Sequence, residues 1–486
     1  MFGTNENDQI DGTIGADTLQ GLGGNDTLWA DAGNDLLEGG DGNDNLFGKS
    51  GNDTLLGGSG DDFLRPGSGS DSNDGGSGTD VLMYDLTTET FGIILNATST
   101  TKDGVGANQV LKVNTNTTDI FANIEAFHGS YGNDIIHLEY GNWVFLRAGA
   151  DDISIHGYGT HIIPGSGNDT IVGDDKSPST LSYWNDGYDD LDNTPQSSGI
   201  TVVFSEAMAG TVTNDGWGGI DVFSGVNEID GSQLDDHITG GSGSDDLAGD
   251  DGDDTIFGGS GHDEIDGQDG NDSLEGGHGE DEIDGGDGND WLDGGSDDDQ
   301  LNGEDGNDTL EGRFGNDELR PGAGSDEVDG GDGDDELEYH RHDDDVAQGI
   351  FVTFTDQYDG TVIDYAGDID VFYNIEEVRG TNNDDTIIGI HGEQDLRGDD
   401  GDDLISGGGD DDNLAGNAGS DTLNGDSGHD YLQPGSGTDS IDGGEGDGDR
   451  IVYKHDDDAA TGVVITWTSE TSGTALDWAG DTDTFT

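Results

Sequence analysis

Residues 267–293 read Gly267-Gln-Asp-Gly-Asn-Asp272-Ser-Leu274-Glu, Gly276-Gly-His-Gly-Glu-Asp281-Glu-Ile283-Asp and Gly285-Gly-Asp-Gly-Asn-Asp290-Trp-Leu292-Asp. Each unit of nine places glycine at positions one and four, aspartate at six and an aliphatic residue at eight. The same register runs from Gly231 to Glu338 without insertion or deletion. Over those twelve units position six is always Asp and position eight is always Ile, Leu or Val. Two chemistries held at fixed offsets for that long mark a structural repeat, not a compositional accident.

Each position has a physical reading. Glycines at one, two and four permit positive φ and the close approach of neighbouring turns. The aliphatic residue at eight sits in a strand of about three residues and points inward, while its neighbours at seven and nine point outward, as a period of two requires. The aspartate at six closes the turn, where carboxylates and free carbonyls converge on a cation. Hard oxygen ligands, with no thiol and no recurrent histidine, indicate Ca²⁺ and not Zn²⁺.

These residues resemble the RTX (haemolysin-type) calcium-binding nonapeptide, G-G-x-G-x-D-x-U-x. The resemblance implies an all-β chain of parallel β-roll (β-solenoid) arrays, two nonapeptides per coil, with calcium between turns stacked on the same side. It also implies secretion to the extracellular space or cell surface, type I secretion machinery as a partner, and surface glycans as a further partner class.

The repeat fills four arrays, at 3–80, 129–172, 231–338 and 380–449, the second short and degenerate. Position six supplies the expected metal ligands. In the first array these are Asp8, Asp17, Asp26, Asp35, Asp44, Asp53, Asp62, Asp71 and Asp80. The second offers Asp134, Asp152 and Asp169, with Trp143 and His161 at the intervening sixth positions, so its aspartates fall along one edge. The third gives Asp236, Asp245, Asp254, Asp263, Asp272, Asp281, Asp290, Asp299, Asp308, Asp317, Asp326 and Asp335. The fourth gives Asp385, Asp403, Asp412, Asp421, Asp430 and Asp439; Gln394 replaces one aspartate and predicts weakened sites there.

Between arrays lie segments of different composition, 81–128, 173–230, 339–379 and a truncated 450–486. They share a strand-like run (Gly92-Ile-Ile-Leu, Gly199-Ile-Thr-Val-Val-Phe, Gly349-Ile-Phe-Val-Thr-Phe, Gly462-Val-Val-Ile-Thr-Trp) and an Asp-x-Phe at Asp119, Asp221, Asp370 and Asp483. Their alternation and β-branched content predict small antiparallel β elements that cap or join the rolls. A Pro-Gly-x-Gly-x-Asp element at Pro66, Pro164, Pro321 and Pro434 announces each approaching cap. The beginning and end of the chain share one phase of this longer repeat, which fits either a portion of a longer repetitive polypeptide or a protein of about four such modules.

Composition narrows function. The 486 residues include 13 Lys+Arg against 111 Asp+Glu, a net charge of −98, with 91 glycines, 6 prolines, no cysteine and 29% hydrophobic residues. By length alone the chain would hold roughly three ordinary domains. Yet one aliphatic residue per nine, worth about 2 kcal/mol, is small beside the entropy of ordering the unit. On the order of 20 to 25 family-like ions would cancel about half of the charge, so folding and binding are expected to be one event. The acidic surface excludes nucleic acid and anionic membranes as partners. Apolar runs such as Ile200–Phe204 are strand-sized, so no membrane span is expected, and Met1-Phe2-Gly3-Thr4-Asn5-Glu6 shows no leader pattern.

No enzyme chemistry stands out. The twelve histidines scatter through turns and spacers. Gly425-Asp-Ser-Gly428 looks like a protease nucleophile loop but lies in phase within a nonapeptide. Paired acids such as Asp253-Asp254 occur in nearly every unit, and no EF-hand loop fits. Trp217, Trp467 and Trp478 in the spacers read as hairpin packing before sugar stacking. The sequence therefore predicts a non-enzymatic extracellular calcium-binding repeat protein, structural or adhesin-type. The alternative is the non-catalytic accessory module of a secreted protease, lipase or alginate epimerase.

Overall fold

The computed structural model describes all residues except 85–91, 140–141, 157–158, 174–178, 184–195, 197, 340–347, 447, 454–463, 468–472 and 477–480; Trp478 lies outside the described residues. The described elements are all strands, and the chain divides into two compact units, Met1–Asp251 and Gly252–Thr486.

In the first unit, successive nonapeptides alternate between two parallel ladders. One joins Gln9–Asp11, Thr27–Trp29, Asn45–Phe47 and Phe63–Arg65. The other joins Thr18–Gly23, Leu36–Asp41, Thr54–Ser59 and Ser72–Ser77. The register advances by one coil per step: Leu28 stands opposite Leu46, and Leu37 opposite Leu55. Both rows of position-eight residues are fully buried, with Leu19, Leu28, Leu37, Leu46, Leu55 and Leu64 each at 0% exposure. A period of two inside a three-residue strand leaves room for one inward side chain, which is why each ladder contributes one file of core residues.

The second unit repeats this plan. Ser273–His278, Trp291–Ser296, Thr309–Phe314 and Glu327–Asp332 form one ladder. Glu282–Gly288, Gln300–Gly306, Glu318–Arg320 and Glu336–Glu338 form the other. The fourth array continues in the same two-ladder form, one ladder running through Ser440–Asp442 and the other through Tyr431–Gln433.

The spacers are antiparallel, as their composition predicts, and they join coils by insertion into one ladder. In the first, Ile93–Ala97, Gln109–Lys112 and Thr117–Ala122 form a three-stranded antiparallel meander. Its outer strands pair in parallel with roll strands on either side, Ile120 opposite Ser72 and Ile94 opposite Ile135. The other ladder passes the insertion unbroken, from Val81–Met83 to Ala126–His128 to Trp143–Phe145. The spacers of 173–230 and 339–379 are built the same way. Edge-to-face pairs close them: Phe204 with Phe223 and Phe354 with Phe372, each at 5.0 Å between ring centroids.

Candidate metal centre

The aspartates at position six form continuous hydrogen-bonded rows. The main-chain N–H of each donates to Oδ1 of the aspartate one coil ahead: Asp8 to Asp26 at 2.7 Å, Asp26 to Asp44 at 2.7 Å, Asp44 to Asp62 at 2.8 Å and Asp62 to Asp80 at 2.9 Å. The opposite side carries Asp17, Asp35, Asp53 and Asp71 in the same relation. In the second unit one row links Asp254, Asp272, Asp290, Asp308 and Asp326. Its counterpart links Asp263, Asp281, Asp299, Asp317 and Asp335. The fourth array adds Asp385, Asp403, Asp421 and Asp439 on one side, and Gln394, Asp412 and Asp430 on the other.

One oxygen of these carboxylates is thereby used, and in many interior rungs the second is stranded. Oδ2 of Asp44, Asp53, Asp62, Asp290, Asp299, Asp308, Asp403 and Asp421 is buried without a hydrogen-bond partner. Buried polar atoms are rarely left so. Burial pushes these acids up, with neighbouring carboxylates adding to it: Asp53 and Asp62 to about 7, Asp299 and Asp403 to about 8. A row of buried anions with one unused oxygen apiece is the electrostatic complement of a row of cations.

Five aspartates that open a run of rungs are different. Asp8, Asp17, Asp134, Asp236 and Asp385 have Oδ2 bound by the main-chain N–H of Thr4, Thr13, Ser130, Ser232 and Thr381, at 2.5–2.7 Å. The hydroxyls of the same residues donate to these carboxylates as well. These residues occupy position two, where interior units carry a residue with positive φ. That conformation is kept even without glycine, at Leu22 (φ +81), Lys49 (φ +66), Gln268 (φ +68) and Arg313 (φ +75), at a cost of about 1 kcal/mol each.

What the conformation achieves is visible at the last turn of the first array. There the Lys112 ammonium donates to the carbonyl oxygens of Gly67 (2.5 Å) and Gly69 (3.3 Å) and to Asp71 Oδ2 (2.8 Å). It also lies 2.8 Å from Asp119 Oδ2. Gly67 and Gly69 are positions two and four, both at positive φ. A buried cation is thus held by two turn carbonyls and two position-six carboxylates of stacked coils. Among the described residues no three acidic or histidine side chains converge on one point. The four oxygens around the ammonium are hard donors of the kind that suits Ca²⁺.

The structure corrects the second array. Asp151, not Asp152, holds the sixth position: Asp134 N–H donates to Asp151 Oδ1, and Asp151 N–H to Asp169 Oδ1, both at 2.7 Å. Asp152 begins the strand and is exposed. The missing residue falls before residue 151, because pairing Ile136 with Ile153 keeps both in the core. Trp143 and His161 likewise move to position seven, where their rings lie 4.0 Å apart. Asn142 and Thr160 take the sixth positions, so the acidic row and the uncharged row do fall on opposite edges.

Other rungs lie in the spacers. Asp119, Asp221, Asp370 and Asp483 accept the N–H of Asp71, Asp169, Asp326 and Asp439. Glu125 and Glu376 accept those of Asp80 and Asp335, and Asp449 that of Asp430. The Asp-x-Phe signature is positions six and eight of a nonapeptide whose glycine turn has been replaced, and that spacing was the available signal. Each proline-bearing turn immediately precedes such a rung. Gln394 stays buried in its row, donating through Nε2 to Gln357 O at 2.8 Å, and contributes no charge.

The family description "RTX calcium-binding nonapeptide repeat (4 copies)" matches residues 2–37, 38–72, 221–256, 230–265, 257–292, 266–301, 284–319, 302–337, 397–432 and 415–448, about half of the chain. Among solved structures, the extracellular lipase LipA from Serratia marcescens is similar at 18% identity with a TM-score of 0.15, over 46% of this chain and 42% of the lipase. The chain therefore spans less than half the length of that enzyme. No curated protein sequence matches it.

Proposed function

The first, third and fourth arrays of this chain belong to the RTX calcium-binding nonapeptide repeat family, and from that premise we propose that the protein is an extracellular β-roll that folds as it binds calcium. It serves as a structural spacer or adhesin-type segment and has no active site of its own. The observation that carries this reading is the buried Oδ2 atoms of interior rungs such as Asp44, Asp53, Asp62, Asp290, Asp299, Asp308, Asp403 and Asp421, which have no hydrogen-bond partner. The interior position-six aspartates and the turn carbonyls at positions two and four hold the ions. First-rung aspartates, already closed by Thr or Ser, act as end-stops. Counting the interior steps gives on the order of 20 ions at one per pair of stacked turns.

Mutual repulsion of the carboxylates keeps the chain unfolded where calcium is scarce, which suits export in an unfolded state by a type I secretion system. External calcium then neutralises the rows and the rolls close. Contact with surface glycans belongs to the same reading and is tested by glycan-array binding of the calcium-loaded chain.

The decisive experiment is far-UV circular dichroism of the chelated chain during calcium titration, with magnesium in parallel. A cooperative coil-to-β transition with calcium and none with magnesium is expected, since Mg²⁺ sheds its water reluctantly. A chain that stays disordered at several millimolar calcium overturns the proposal.

A further inference from the structure

The junction of the first array with its spacer differs at one charged position from the junction that ends the third array. In both, a buried tyrosine donates to Oδ2 of the spacer aspartate: Tyr84 to Asp119 at 2.9 Å and Tyr339 to Asp370 at 2.6 Å. In both, the last aspartate of that row donates its N–H to that same residue, Asp71 to Asp119 and Asp326 to Asp370. The central spacer strand also pairs alike, Val110 opposite Asp119 and Val362 opposite Asp370. Two residues further along that strand the first junction has Lys112 and the other has Asp364.

We propose that the Lys112 ammonium is a built-in cation that takes the place of calcium at the last step of the first array. The inference rests on the calcium reading above. Four oxygens surround the ammonium, and they are those that an interior step would present to an ion: the carbonyls of positions two and four and one carboxylate oxygen from each stacked coil. Lys112 is buried, and Asp71 and Asp119, unlike interior rungs, keep no unpartnered oxygen. This step is closed by the chain itself.

At the other junction the same strand position adds an anion. Asp364 is 4% exposed; its Oδ1 accepts the N–H groups of Gly367 and Asp368 at 2.7 Å, and its Oδ2 is buried without a partner. Oδ2 of Asp326 is also without one. That step gains negative charge where the first loses it, so it takes an ion. In the junction between them, Asn214 donates to Gly199 O and Asp215 accepts the N–H of Gly167, so no lysine fills that turn either.

Native mass spectrometry of the full chain, saturated with calcium and compared with its variants, counts ions one at a time. Lys112→Met is expected to bind one calcium more than the wild type, and Asp364→Lys one fewer. Should K112M fail to fold, D364K decides together with Asp364→Asn, which removes the carboxylate without adding a cation and is expected to keep the ion. A wild type that binds many ions, with counts unchanged in D364K or in folded K112M, overturns the role of Lys112 and leaves the calcium reading standing. A wild type that binds no calcium overturns that reading, and this inference with it.

Discussion

The main-chain N–H of Asp290 donates to Oδ1 of Asp308, one full coil ahead in the chain, at 2.9 Å. The contact makes each carboxylate both a brace for the coil before it and a candidate ligand through its other oxygen. It couples the backbone of the roll to the charge that must be neutralised, so ion binding and coil stacking share one residue.

Replacing that residue separates the two roles. Asp290→Asn keeps an acceptor at the Oδ1 position and removes the charge. The calcium midpoint of folding should rise about threefold or more, while residual β structure in chelator increases because one repulsive anion is gone. Circular dichroism titrations of both proteins measure this, and an unmoved midpoint would exclude residue 290 as a ligand.

Gly279 sits at φ +123, and a Cβ there would lie 1.4 Å from Gly261 O of the preceding coil. Gly279→Ala cannot be absorbed by a side-chain shift, because the obstacle is backbone. It should destabilise the calcium-loaded second unit by about 3 kcal/mol or more, visible as a lower thermal midpoint. Gly15→Ala, where an added Cβ meets nothing within 4 Å, serves as the control and should leave the midpoint nearly unchanged.

Without calcium, acidification should favour the fold. Burial, reinforced by neighbouring carboxylates, raises Asp272, Asp308 and Asp326 to about 7 and Asp299 and Asp403 to about 8. In the unfolded chain such groups titrate near 3.8. The native state thus binds more protons between those limits, and stability falls as pH rises. This contribution is fully present below about pH 4 and lost as pH passes through about 6 to 8. The chelated chain should gain β signal as pH falls from about 8 to about 5. Equal disorder of the chelated chain at both ends of that range would contradict the burial of these acids.

The buried tyrosines offer an internal comparison. Tyr339→Phe removes the donor to Asp370 Oδ2, and the second unit should lose about 1.5–3 kcal/mol, as for a hydrogen bond to a charged group. Tyr84→Phe should cost less, because Asp119 keeps Lys112 at 2.8 Å. Burial lifts Asp119 to about 6, with the Lys112 charge opposing it. Thermal unfolding of both variants in saturating calcium tests the ranking, and a larger loss in Y84F would refute it.

The readability of each site follows from where its information is stored. The rungs from Asp236 to Asp335 were legible because one nonapeptide contains its own turn, rung and core residue. Asp151 was not, since a one-residue deletion in a degenerate array can be placed at several points, and only the pairing of Ile136 with Ile153 fixes it. Asp119 and Asp370 were visible as an Asp-x-Phe motif but lacked the preceding glycines that mark a rung. The end-stop role of Asp8 and Asp134 depended on reading Thr4 and Ser130 as a different turn, although both stand at the same offset.

By itself the sequence determined the period, the inward row of aliphatic residues and the acidic turn, because these are local and repeat every nine residues. Tertiary structure decided which carboxylate oxygens are stranded, which are closed by hydroxyls, and that Lys112 reaches the turn of Gly67 and Gly69. The lysine lies on an inserted strand more than forty residues from that turn. Its contact exists only because the meander enters the ladder beside the last coil, and a pairing of that range leaves no periodic trace in the chain.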